Sequence, residues 1–390
     1  MLPYARPSIT EAELAEVEAC LESGWLSTGP RTERFEQALA AYTGAGFALG
    51  TNTGTAALHL ALLAVGVGPG DEVVTTPMTW VSTANVILHA GATPVFADVD
   101  EGTLNLDPAC VEEALSEKTR TILPVHYAGL PCDMDAIVEL ARARGASVVE
   151  DGAHALGARY KGRPIGSIGD ATMFSFHPAK NMTTGEGGAL VTSRDDVAVH
   201  ARRLRFHGID QSPQNRFGGR GPASYDVVEA GFKYNISDLQ SAIGLHQLAA
   251  LDERNQRRRS LAGLYRRELA HLEGVRALGD AAYDYDHAWH MMVVRVDTAR
   301  LDVDRDGVVE AMRERGIGAG VHFVPLHLQT LYARHASRAN LPNATRAHAE
   351  IVTLPLFPDM SDEDVARVIG VLEDVLTAHA GVPAGKAIGR

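Results

Sequence analysis

Cysteine is scarce: three in 390 residues, Cys20, Cys110 and Cys132, odd in number and widely spaced. That excludes a disulfide framework and points to reduced thiols in the cytoplasm. Long apolar runs are missing as well. No segment reaches the ~20 residues needed to span a bilayer, and the opening "MLPYARPSIT" has no charged stretch followed by an apolar one, so neither a membrane partner nor a secretory leader is expected. Positive charge is in deficit, 36 Lys and Arg against 49 Asp and Glu, for a formal charge of −13. Long-range attraction to nucleic acid is thereby excluded, and the dense basic run "RNQRRR" at 254–259 is expected to decorate a solvated helix face. The 16 histidines are scattered, with no H-E-x-x-H and no tight Cys/His cluster, so no metal site is expected. Internal repeats and low-complexity blocks are also absent.

What is present is an ordinary globular composition, 45% hydrophobic, with length for two domains. From about residue 46 to 192, β-rich runs alternate with helical stretches: "GFALG", a helix from 54, "DEVVTTP", a helix from 82, "TPVFADV", a helix near 109, "RTILPVHY", a helix near 134, "ASVVED". Such alternation predicts crossover units and a mostly parallel sheet covered on both faces. "ATMFSF" and "GALVTS" read as two further strands of it. The expected fold class is α/β: a large domain over 1–250, a smaller α+β domain over 251–380 and a flexible tail at 381–390. The first ~15 residues are allowed to pack with the small domain. Residues 235–272 read as one long helix or a pair, with Ser237 as N-cap, and a further amphipathic helix is expected from Ser361.

The stretch "ATMFSFHPAKNMTTGEGGALVTS", 171–193, sets one lysine, Lys180, between two strands and before a loop of small and hydroxylated residues. A lysine beside a rigid strand, partly desolvated so that some of it is neutral, is suited to a Schiff base with a bound carbonyl. The cofactor that uses such a lysine most often is pyridoxal 5′-phosphate, which needs a phosphate cradle, a carboxylate at its ring nitrogen and a flat residue against its ring. In "LGTNTGTAALHLAL" a strand runs through Gly54 and Thr55 into a helix, whose N-terminus would face an anion; a plain helix cap is the alternative. Asp151 in "ASVVEDGAHALGA" ends a buried strand, where ligands collect in open α/β sheets, with a structural ion pair as the other reading. His154, one helical turn along, is a candidate to bond the cofactor near its ring, with a packing histidine as the other reading. Trp80 in "TTPMTWVSTANVI" is placed to cover a planar ring, and the Ser175 hydroxyl is five residues before Lys180.

With these residues in view the chain resembles the DegT-type sugar aminotransferases, within the pyridoxal-phosphate fold type I class. The resemblance runs through "SGWLSTGPRTERFEQALA", "GTNTGTAALHLAL", "PMTWVSTANVI", "GATPVFADVD", "VVEDGAHALGA", "FSFHPAKNMTTGEGG", "GFKYNISDLQSAIGLHQL", "HAWHMMVVRV" and "LPLFPDMSDEDV", nearly the whole length. It implies that Lys180 forms the Schiff base, Asp151 pairs the pyridine nitrogen, Gly54, Thr55 and Ser175 hold the phosphate and Trp80 stacks on the ring. It further implies a homodimer with shared active sites in which Asn235 reaches the phosphate of the neighbouring subunit, and a loop at 205–224 that borders a nucleotide-sugar site. Many relatives carry glutamine at the position of His154. Some relatives replace the lysine with histidine and become dehydratases; Lys180 favours transamination.

The expected activity is transfer of an amino group from an amino acid, L-glutamate by family habit, to a nucleotide-linked keto-sugar, at C4 of a 4-keto-6-deoxyhexose or 4-keto-pentose. The open alternatives are a C3 keto-sugar or an aminocyclitol ketone (inosose) as acceptor, and, in a different class, a regulator that binds the cofactor without turnover. His322 and His327 in "GVHFVPLHLQ" are candidate substrate-side groups from the small domain.

Overall fold

The computed structural model describes residues 1–210, 225–336 and 339–381. Most of the loop predicted to border the substrate, and residues 382–390 of the predicted tail, lie outside these. The alternating runs become β1 (Phe47–Thr51), β2 (Glu72–Thr75), β3 (Thr93–Phe96), β4 (Thr119–Leu123), β5 (Ser147–Asp151), β6 (Arg159–Tyr160), β7 (Arg163–Pro164), β8 (Ala171–Ser175) and β9 (Gly188–Thr192). Seven of them form one sheet in the order β1-β9-β8-β5-β4-β2-β3. The pairs β2–β3, β2–β4, β4–β5 and β5–β8 are parallel, whereas β9 runs antiparallel to both β8 and β1. The architecture is therefore α/β with a mostly parallel central sheet.

Helices α2 (Pro30–Thr43), α3 (Gly54–Ala64), α4 (Val81–His89), α5 (Pro108–Ala114), α6 (Met134–Arg144) and α7 (Asp195–Arg205) pack on this sheet, and α1 (Glu11–Glu22) precedes them. Helix α3, "GTAALHLALLA", is apolar nearly all round, and Ala56 through Leu62 are buried. It packs against α4, α7 and the sheet, as a helix without a polar face must.

The stretch after residue 235 folds as a pair of helices, α8 (Asp238–Ala249) and α9 (Leu251–Leu269), joined at Ala250, whose φ of −94° and ψ of 1° leave the helical range. Ser237 caps α8 and forms a capping box with Gln240. The basic run corrects the expectation of a solvated face: Arg254, Asn255 and Arg258 are buried. They occupy the inward stripe of α9, and Arg258 donates to the Leu356 carbonyl at 2.8 Å, which makes its burial tolerable.

A second apolar core begins on α9 with Leu261 and Tyr265 and extends to Leu376. Its sheet orders β10 (Val275–Ala277), β12 (Met292–Val296) and β13 (Ile351–Leu354), while β11 (Tyr285–Asp286) pairs back onto β6 beside the large sheet. Helices α10 (Arg305–Glu314), α11 (Pro342–Glu350) and α12 (Asp362–Ala378) complete it, with Ser361 capping α12 in a capping box with Asp364. The N-terminal arm divides its contacts. Leu2 pairs with Ile317 and packs on the second core, and Leu356 donates to the Tyr4 carbonyl at 3.1 Å. Helix α1 lies instead on α8 of the larger part.

Candidate active site

Loops that leave the carboxyl ends of β1, β2, β5 and β8 meet at one cavity of about 450 Å³. This is where open α/β sheets place ligands, since adjoining loops diverge there. The cavity is lined by Gly54, Thr55, Trp80, Asp151, His154, Ser175, Lys180 and His322, so those eight predicted residues are brought together. Asn235 and His327 are not among its lining residues.

The seat at β1 and α3 is built by close packing. The Thr53 side chain accepts from the Ala56 N–H at 3.0 Å, and the Gly54 and Thr55 N–H groups have no intrahelical partner. A Cβ on Gly54 would lie 2.9 Å from the Ser175 Cβ, and one on Gly188 would lie 2.5 Å from the Gly54 nitrogen. Only glycines let α3 approach β8 and β9 closely enough to put the Ser175 hydroxyl beside the helix terminus.

Lys180 sits on the loop between β8 and β9, its N–H donating to the His177 carbonyl at 2.8 Å. Burial lowers its amine to about 8, while the Asp151 charge pulls the other way. Asp151 is buried, and burial raises its pKa against hydrogen bonds from the Ala153 N–H and the Thr83 hydroxyl, and against the charges of Lys180 and His126. The Ala153 N–H donates to Oδ1 at 3.1 Å and Thr83 to Oδ2 at 2.8 Å. Among the described residues neither Lys180 nor Asp151 makes an ion pair.

Histidines form the opposite wall. His154 stacks on His290 at 4.5 Å between centroids, and on Phe323 at 5.9 Å. Burial, then the charge of Lys180, holds both His154 and His290 well below the usual imidazole range. The same causes bring His322 down to about 4, and its Nδ1 is 3.0 Å from the Thr353 hydroxyl. All three imidazoles are therefore neutral near pH 7. Trp80, at the mouth, is 60% exposed, its ring 6.1 Å from that of Phe323.

Asn235 bridges to Thr51 at the edge of β1 and donates to the Thr28 hydroxyl at 2.6 Å, with its Oδ1 buried and unpartnered. His327 belongs to a short turn, Leu326–Leu328, whose Leu326 is buried; its Nε2 meets the Thr345 hydroxyl of α11 at 2.9 Å. Sequence reasoning missed Tyr4, Thr83, His290 and Phe323. Thr83 carried a signal, since it stands four residues after Thr79 at the start of a helix, and their hydroxyls meet at 2.8 Å. Tyr4 carried none, because the arm that brings it is anchored some 300 residues away in sequence, at Ile317.

These residues fit pyridoxal 5′-phosphate. Free helix N–H groups beside a hydroxyl suit a phosphate. A buried carboxylate with one donor on each oxygen and no cation suits a protonated ring nitrogen, and an uncovered indole suits a planar ring. Among the described residues no group of His, Cys, Asp and Glu could hold a metal, and no helix is long and apolar enough to cross a membrane.

The sequence profile described as the DegT/DnrJ/EryC1/StrS aminotransferase family matches residues 7–373. The spore coat polysaccharide biosynthesis protein SpsC of Bacillus subtilis (strain 168) is 46% identical over 378 residues, 96% of this chain and 97% of SpsC. Among solved structures, the PMP form of Spr1654 from Streptococcus pneumoniae superposes with a TM-score of 0.90 at 34% identity, covering 97% of this chain and 100% of that one. The sugar aminotransferase CalS13 from Micromonospora echinospora gives 0.86 at 32% identity, covering 96% and 100%.

Proposed function

This chain belongs to the DegT/DnrJ/EryC1/StrS aminotransferase family, and from that premise we propose that it moves an amino group from L-glutamate to C4 of a nucleotide-linked 4-keto-6-deoxyhexose or 4-keto-pentose. The observation that carries the reading is the convergence of Lys180, Asp151 and the α3 N-terminus on one cavity. The sugar aminotransferase CalS13 and the polysaccharide biosynthesis protein SpsC, as similar chains, support a sugar acceptor. Bound there, pyridoxal 5′-phosphate supplies an aldehyde that exchanges amine partners and a ring that withdraws electrons from the carbon bearing the nitrogen.

The protein's own groups do the rest. Gly54, Thr55 and Ser175 would hold the phosphate, Trp80 would cover the ring and Asp151, staying ionised, would keep a proton on the ring nitrogen. With the cofactor bound, the Lys180 amine would take a proton from the substrate carbon in one half-reaction and return one in the other. Its depressed basicity, about 8, leaves a useful neutral fraction near physiological pH. His154, His290 and His322, being neutral, do not compete with Lys180 for negative charge on a substrate. The active unit is a homodimer in the cytoplasm, with Asn235 of the partner subunit completing the phosphate seat.

The test is incubation of cofactor-loaded protein and L-glutamate with UDP-, dTDP- and GDP-linked keto-sugars, with products identified by mass and NMR. A 4-amino sugar from one of them is the expected product. Amination only at C3, or only of an inosose, would overturn the C4 assignment. Failure of every amino donor to yield the pyridoxamine spectrum would overturn the transfer itself.

A further inference from the structure

Lys180 also lines a second and much smaller chamber, which it does not share with Asp151. Arg6, Ser8, Lys180, Asn181, Arg254 and Arg258 are among the residues around it, and its volume of about 10 Å³ is on the order of one water-sized sphere. Two of its walls are guanidinium groups that are themselves buried, Arg254 at 8% exposure and Arg258 at 2%. They stand one helical turn apart on α9, like charges on the same face.

The hydrogen bonds of these arginines are incomplete. Arg254 gives Nη2 to Glu13 at 3.3 Å, and Arg258 gives Nη1 to the carbonyls of Leu356 at 2.8 Å and His290 at 3.4 Å. Arg254 Nη1 and Arg258 Nε are buried with no partner. An unpaired buried donor costs about 1–3 kcal/mol, more when charged. The charges do not balance either: Glu13 is the one carboxylate paired with either arginine among the described residues. Burial, then the Arg254 charge, pushes Arg258 down to about 10 against the pull of Asp359. The Asn181 Oδ1 is also unpartnered, since its amide nitrogen serves the Asn255 side chain at 2.7 Å and the Ala288 carbonyl at 2.8 Å. A water would suit that oxygen, but it brings no negative charge to the two arginines, whereas an anion accepts from both unpartnered donors.

We propose that this chamber binds a monatomic anion of chloride size between Arg254 and Arg258, beside Lys180. Its volume, on the order of one small sphere, suits a monatomic anion better than a carboxylate or a phosphate. The anion adds a negative charge beside Lys180, which lines the cavity with Asp151, His154, His290 and His322 and the chamber with Arg6, Arg254 and Arg258. It favours the protonated amine. The proposal concerns the protein without cofactor and stands independently of the amino-transfer reading.

Crystals of the natural chain soaked in bromide test it directly. An anomalous peak within about 3.5 Å of both Arg254 Nη1 and Arg258 Nε is expected; density there without anomalous signal means a water and overturns the proposal. In solution, the Tm of the apoprotein is expected to rise by about 2–4 °C between 1 and 100 mM chloride at constant ionic strength made up with acetate, and not in Arg254→Gln. Equal Tm values in both salts would also overturn it. Should Arg254→Gln fail to fold, the bromide signal decides alone, because it needs no variant.

Discussion

At the scale of single residues, Lys180 and Asp151 share a cavity without forming an ion pair, and burial lowers the pKa of the amine while raising that of the carboxyl. Both are consequently poised for a third group between them. Replacing Lys180 by alanine is expected to lower transfer by at least about 10²–10⁴-fold, the range of one positioned proton-transfer group, and to abolish the visible absorbance of loaded protein. Steady-state kinetics and a spectrum check both. Loss of neither would remove Lys180 from the mechanism.

Burial of Lys180 also carries a cost to folding with a definite sign. The folded pKa, about 8, lies below the ordinary 10.5, so between these pH values the unfolded chain holds a proton that the folded chain has released. Stability of the apoprotein therefore rises with pH through that window, and the full penalty stands below about pH 8. Lys180→Met removes the penalty. Its apoprotein is expected to melt above the natural chain at pH 7, the gap narrowing as pH moves from 8 toward 10.5. Differential scanning calorimetry at paired pH values reads the gap directly; a gap that stays constant across the window would contradict the buried-amine account.

At the scale of elements, the N-terminus of α3 is useful because it is pressed against β8 and β9, and two glycines permit that. On Gly54 a Cβ meets the Ser175 Cβ at 2.9 Å and both Met173 Sδ and the Ser175 Cα at 3.2 Å, contacts looser than those at Gly188. On Gly188 it meets the backbone of Gly54 at 2.5 Å, with no side chain to give way. Overpacking of this kind costs about 1–3 kcal/mol. Gly188→Ala is expected at or beyond the upper end and Gly54→Ala near the lower, with both weakening cofactor affinity. Urea melts rank the two; the reverse order would mean that α3 can move as a body.

For the molecule as a whole, two cores share the site. The sheet supplies Lys180 and Asp151, the region around the second core supplies His290, His322 and Phe323, and the arm adds Tyr4. Asn235 belongs to neither wall of its own cavity, and its buried Oδ1 lacks a partner. If it acts across a homodimer, two inactive variants restore one another. A mixed dimer of Lys180→Ala and Asn235→Ala subunits contains one site with the lysine of one chain and the asparagine of the other. Mixing the two variants under exchange conditions is thus expected to recover about a quarter of natural activity, since half of the dimers are mixed and each has one intact site of two. Recovery no greater than the sum of the separate variants would place Asn235 in cis or outside the site.

Local order in this protein was written in the sequence. Periodicity and turn residues fixed the alternating strands and helices, because those depend on neighbours along the chain. The strand-end positions of Gly54, Asp151 and Ser175, and of Lys180 in its loop, followed from the same pattern. Distant pairings decided the rest. Whether α9 shows its arginines to water depended on which carbonyls and carboxylates came to meet them, and Glu13 and Leu356 lie far from 254–258 in the chain. Tyr4, His290 and Phe323 entered the cavity for the same reason, and His327 stayed out because its turn is fixed by Leu326 in a separate apolar cluster. Hydrophobic pattern specifies which face of an element is buried, but it is non-directional; which partner covers that face is settled only when the whole chain packs.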